Sequence, residues 1–150
     1  MQLSEHFTLK EFTDSDKAKE HGIENIPDGY QISSIRFLVI EVLQPLRYIL
    51  NKPVIITSGF RSQKLNQLVG GKKYSHHLCL DNYAAGDIVV PGIEPEKVQY
   101  EVMNNNLPVE ECINEYDEWT HISIRKPSMQ LIKAIRDKYG GSKYEVVSWV

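Results

Sequence analysis

Apolar residues recur at helical spacing over residues 31–50, where Ile32, Ile35, Leu38, Val39, Val42, Leu43, Leu46 and Ile49 fall on one face. This is the strongest periodic signal in the chain and predicts a core-packing helix. Pro45 sits inside the pattern; it removes a backbone donor and crowds the preceding turn, so a kink or break is expected near residues 41–44. Upstream, Thr8-Leu9-Lys10-Glu11 fits a capping box that opens a short helix. A second short helix over residues 16–21 would stop at Gly22. Residues 25–30, with Pro27, Asp28 and Gly29, read as a loop.

The pattern then shortens. Residues 53–57 (Pro-Val-Ile-Ile-Thr) predict a buried strand, and 62–69 a short helix ended by Gly70-Gly71. Residues 72–83 are polar and loop-like. Residues 87–90 predict a second strand, 94–104 a helix with Pro95 in its first turn, and 110–115 with 119–124 a hairpin around Tyr116-Asp117-Glu118. A helix is expected over 128–139 and a terminal strand over 144–150. Helices first and short strands late predict an α+β fold: a small, mainly antiparallel sheet with the N-terminal helices packed on it.

Composition fits one domain over residues 1–150. Hydrophobic residues make up 41% and charged residues 25%, enough for a real core. The net charge of −3 offers no basic field for a phosphate backbone, so no nucleic-acid partner is expected. The longest apolar run, Phe37 to Ile40, is far too short for membrane insertion. Cys79 and Cys112 match no metal spacing and suggest two free thiols in a reducing compartment. The first residues carry neither a basic nor an apolar signal region, so the expectation is a protein made and kept in the cytoplasm.

The candidate chemistry lies at strand edges. His77, Asp87 and His121 offer two imidazoles and a carboxylate, a donor set that suits Zn²⁺ with a fourth position left for water. Such an ion brings the pKa of water toward about 7. A carboxylate must then move the proton to the leaving amine. Glu118, three residues before His121, and Glu115, six before it, are the candidates. The chain has no His-Glu-x-x-His helix, which excludes the common zincin arrangement. His76 is expected to face solvent.

Ser58-Gly59-Phe60-Arg61-Ser62, Leu65-Asn66, Val69-Gly70-Gly71, Ser75-His76-His77 and Trp119-Thr120-His121-Ile122-Ser123 together resemble the M15 family of zinc D-Ala-D-Ala carboxypeptidases and phage endolysins. Phe7-Thr8-Leu9-Lys10-Glu11-Phe12 and Asn25-Ile26-Pro27 are similar to its short single-domain branch. The resemblance implies a fold like that of the D-Ala-D-Ala peptidases and the hedgehog signalling domain. It implies zinc ligands at His77, Asp87 and His121, and a base at Glu118. Relatives with the acid six positions before the last histidine imply Glu115 instead; Glu118 is preferred. Arg61 would hold a substrate carboxylate or the oxyanion, and Ser75 would bond substrate or support His77. Tyr74, Tyr83 and Tyr116 are candidates to line the cleft.

One departure stands out. His77 and Asp87 are ten positions apart, about three more than in the family pattern Ser-x-His-x-x-Gly-x-Ala-x-Asp, and the longer loop offers Asp81 as a rival ligand. Insertions in surface loops cost little closure entropy, so the ligands can still converge. The expected function is zinc-dependent hydrolysis of peptidoglycan stem peptides, by a carboxypeptidase or an endopeptidase. A phage or prophage endolysin released to the wall fits this reading. The alternative is a non-catalytic zinc domain that binds cell-wall peptide or a protein.

Overall fold

Glu11 closes the first turn of helix α1 (Leu9–Thr13), its carboxylate accepting from both the N–H and the hydroxyl of Thr8. Helix α2 (Asp16–Glu20) is capped by Ser15 and ends before Gly22, whose φ of +61° is open to glycine at no steric cost. The long periodic segment splits into α3 (Gly29–Leu38), a π-helical turn (Val39–Leu43) and α4 (Gln44–Leu50). In that turn the Gln44 N–H bonds back to Val39, five residues away. The wider turn takes up the strain that Pro45 imposes, so the expected break becomes a bulge. Val39, Val42, Leu43 and Leu46 stay fully buried across it.

Strand β1 (Ile55–Ser58), helix α5 (Gln63–Leu68), a 3₁₀ turn (His76–Leu78), strand β2 (Tyr83–Val89), helix α6 (Pro95–Asn104) and strands β3 (Glu111–Glu115) and β4 (Trp119–Arg125) follow. The sheet runs β1-β2-β4-β3, antiparallel throughout, which gives the expected α+β architecture. Strand β2 begins at Tyr83, four residues before the apolar run that signalled it. The computed structural model describes residues 1–127 and, as backbone, strands β5 (Leu131–Arg136) and β6 (Ser142–Val147), which pair antiparallel. The helix expected over 128–139 is therefore corrected: its central residues form β5. Leu131, Ile132 and Ile135 fit a helical face, but a segment this short gains little from helix propensity, while a β-rich partner strand satisfies its backbone. The ends of that expected helix, and residues 148–150, lie outside the described residues.

Alternation along the strands divides the sheet into two faces. Ile88, Ile122, Ile124 and Ala84 point to the core, where they join Ile35, Leu38 and Val42 of the helices and Val98 and Val102 of α6. The other face carries Asp87, His121, Glu111, Ile113, Glu115 and Trp119, because register pairs Asp87 with His121, His121 with Ile113, and Trp119 with Glu115. No helix among the described residues is long and apolar enough to cross a membrane.

Both cysteines are free. Burial pushes the Cys79 thiol up to about 12 and the Cys112 thiol up to about 11. Against an unfolded thiol near 8.5, the thiolate fraction of each falls on the order of 10²-fold or more at neutral pH. Iodoacetamide is accordingly expected to alkylate the native chain far more slowly than the urea-unfolded chain. Equal rates by mass spectrometry would mean that both thiols open freely to solvent.

Candidate metal centre

The site starts from the sharp turn after β1. A methyl group on Gly59 would lie 2.6 Å from both Cα and O of Phe12, so only glycine lets the turn press against α1. Phe60 N–H donates to Phe12 O at 2.7 Å and locks that approach. Buried Asn25 holds the turn from the other side: its amide donates to Thr13 O and Phe60 O, both at 3.0 Å, and its Oδ1 accepts from Ser62 N–H at 2.7 Å. Asn25 belongs to the Asn25-Ile26-Pro27 motif, but a loop asparagine carries no periodic signal, so its positioning role is not legible in the sequence.

This turn fixes His77. The Gly59 carbonyl accepts from His77 Nδ1–H at 2.7 Å, and Arg61 N–H donates to His77 O at 2.8 Å. With Nδ1 spent on a carbonyl, Nε2 is left as the free donor of an electron pair. Ser75 caps the 3₁₀ turn, its Oγ accepting from His77 N–H at 3.3 Å. His77 is 4% exposed.

Asp87 and His121 face each other across β2 and β4. Asp87 Oδ1 lies 2.8 Å from His121 Nδ1 and 3.3 Å from His77 Nε2. The three donor atoms all fall within 4.8 Å of one another. The extra residues between His77 and Asp87 do not prevent this convergence. Cys79, Asp81 and Asn82 take left-handed conformations and fold the added length into tight turns, and Gln31 ties the loop to α3 through Leu78 O at 2.9 Å. Asp81 belongs to neither of the donor groups found among the described residues.

Burial by itself would raise the Asp87 carboxyl, but the hydrogen bonds and charges of His121 and His77 outweigh it and hold the group well below the usual carboxylate range. Arg61 stands behind it, Nη2 3.6 Å from Asp87 Oδ2, with Nε and Nη2 also on Ser58 Oγ at 3.3 and 3.1 Å. Burial draws the guanidinium below its ordinary range, and the Asp87 charge pushes back. Two imidazole nitrogens and one carboxylate oxygen, converging at a buried site where an ion can replace the protons shared with Asp87, fit Zn²⁺ with one coordination position left open.

The ligands open into a cleft of about 560 Å³. Arg61, Tyr74, Ser75, Glu111, Glu115, Tyr116 and Trp119 line it. Tyr74 and Tyr116 form an exposed rim, and Tyr116 meets Trp119 edge-on at 5.8 Å. The two candidate acids part company here. Glu115 sits at the end of β3 on the ligand-bearing face, opposite Trp119. Glu118 lies in the hairpin turn and lines a separate cavity of about 180 Å³ with Ile88, Val90 and Val98. The turn explains the separation: Tyr116 and Asp117 both have positive φ, braced by paired bonds between the Asn114 amide and Asp117.

His76 does not face solvent as expected. Its ring stacks on Tyr83 with centroids 4.1 Å apart, and Nδ1 lies 2.9 Å from Ser123 Oγ and 3.1 Å from Glu111 Oε2. Tyr83 is thereby a support for His76. Glu111 escaped sequence reasoning altogether, because only the β3–β4 register brings it beside a histidine.

A second cavity, of about 510 Å³, runs along β1 and the first two helices, and Arg61 and Val69 line both it and the metal cleft. Neither a curated protein nor a solved structure matches the chain. A family model described as Peptidase M15 matches residues 5–123, from the segment before α1 to the middle of β4, and so spans every ligand of the centre. With four-fifths of its length and its whole donor set inside that match, the chain belongs to the Peptidase M15 family.

Proposed function

We propose that this chain is a zinc-dependent endopeptidase acting on the stem peptides of peptidoglycan. The observation that carries the reading is the meeting of His77 Nε2, Asp87 Oδ1 and His121 Nδ1 at the floor of a cleft that also holds Glu115 and Arg61. His77, Asp87 and His121 would hold the ion. Bound there, zinc supplies an acidified water and an electrophilic contact for the scissile carbonyl. Glu115 takes a proton from the attacking water as the new C–O bond forms, then delivers it to the amide nitrogen as the C–N bond breaks. Arg61 lies close enough to the ligands to stabilise negative charge on the carbonyl oxygen. Tyr74 and Tyr116 offer flat apolar surface at the rim.

Two features favour an internal cut over removal of a terminal residue. The Nε–Nη2 edge of Arg61 is engaged by Ser58 and Asp87, so it is not free to clamp a terminal carboxylate in a fork. Arg61 also lines a second cavity besides the metal cleft, and a residue shared between two spaces is not the closed end that removal of a terminal residue needs.

Purified peptidoglycan tests the reading. The zinc-loaded chain is expected to release new amines carried on muropeptide fragments, to lose that activity in a strong chelator, and to regain it with one equivalent of zinc. Release of free D-alanine alone would make it a carboxypeptidase. A chain that binds zinc and releases no amine would be a non-catalytic zinc domain.

A further inference from the structure

We propose that Glu111 is a positioning residue for the metal centre, the carboxylate that orients His121. The inference rests on the reading of His77, Asp87 and His121 as zinc ligands. His121 turns Nδ1 toward Asp87, 2.8 Å away, and its other nitrogen, Nε2, lies 3.5 Å from Glu111 Oε2. A neutral imidazole has one electron pair to give and one N–H to place. In the zinc-loaded site Nδ1 would give its electron pair to the ion in place of the proton it shares with Asp87, leaving the N–H on Nε2, the nitrogen on the Glu111 side. A carboxylate in that position sets the tautomer, fixes the ring plane and makes the ligand nitrogen a better donor.

Glu111 is itself held. The same Oε2 lies 3.1 Å from His76 Nδ1 and 3.4 Å from Ser123 Oγ, and the His76 ring is stacked on Tyr83. The side chain is 44% exposed, so these contacts, not burial, keep it from rotating into solvent. Register makes the placement systematic: Glu111 pairs with Ser123, two residues along β4 from His121 on the same face. His77 has a comparable support in the Gly59 carbonyl, so each histidine of the centre has its second nitrogen anchored.

The group His76, Glu111 and His121 has the donor types of a second metal site. Occupying both sites at once would require His121 to give an electron pair from each nitrogen, losing its last ring proton, and a single-zinc centre avoids that cost.

The test compares wild type, Glu111→Ala and Glu111→Gln by zinc competition against a chromophoric chelator, with metal content counted and the metal-free forms melted in parallel. Glu111→Ala is expected to bind zinc about 10–100-fold more weakly. Glu111→Gln, which keeps an acceptor oxygen, is expected to fall between the two. The metal-free melting points are expected to coincide, since the residue sits on the exposed face. Wild-type affinity in both variants would overturn the proposal. Two zinc ions in wild type and one in Glu111→Ala would overturn it in favour of a second metal site. A wild type that binds no zinc would remove the zinc reading and this inference with it.

Discussion

Glu115→Gln is expected to slow amine release from peptidoglycan by about 10²–10⁴-fold while leaving one zinc per chain. Glutamine keeps the size and hydrogen-bonding shape of glutamate but cannot carry a proton from water to a leaving amine. The change should therefore fall on kcat, with KM little moved. Glu118→Gln is the matched control. Glu118 lines the cavity beside Ile88 and Val98 and is not among the residues lining the metal cleft, so the activity of this variant is expected to stay within about twofold of wild type. The reverse result, a dead Glu118→Gln and an active Glu115→Gln, would return the base to the hairpin turn and require that turn to refold around substrate.

Gly59→Ala is expected to damage stability and metal binding together. The added methyl meets Phe12 backbone atoms at 2.6 Å, and Phe12 cannot yield easily, because it is fully buried and accepts the Phe60 N–H. Overpacking against backbone belongs at the upper end of its usual cost, about 3 kcal/mol. Any relief by moving the turn pulls the Gly59 carbonyl away from His77 Nδ1, so zinc affinity should fall as well. Gly29→Ala provides the contrast: nothing lies within 4 Å of the new methyl, which sits at the start of α3, and urea midpoints should barely change. An unchanged midpoint for Gly59→Ala would show that α1 gives way at little cost.

Much of this was legible from residues alone because it depends on local pattern. The periodic stretch over 31–50 announced both the helix and the trouble at Pro45, although whether proline yields a break or a π turn depends on how well both halves pack. His77, Asp87 and His121 stood out as a donor set. Their meeting was not readable from spacing, because the long loop obscured it and the antiparallel pairing of β2 with β4 decides it. The choice of acid depended on something finer still. Three and six residues before His121 are both plausible distances on sequence alone, and with two left-handed residues in the turn Glu118 lines a cavity other than the cleft that Glu115 lines. His76 reads as solvent-facing in the sequence, because its partners, Tyr83, Glu111 and Ser123, come from three different strands. The segment over 131–136 misled for the opposite reason: its apolar spacing suits a helix, and only the presence of a complementary strand tips it to β.

Two of the three donors, Asp87 and His121, stand directly opposite each other on neighbouring strands, and only His77 arrives from a loop. The separation of that pair is a property of sheet spacing, insulated from what happens at the ends of the strands. Tyr74, in the segment before His77, and Tyr116, in the hairpin turn, are both exposed at the rim of the cleft, and either can be exchanged without retuning the bite that this pair presents to the ion. Such a molecule can change what it cuts while conserving how it cuts.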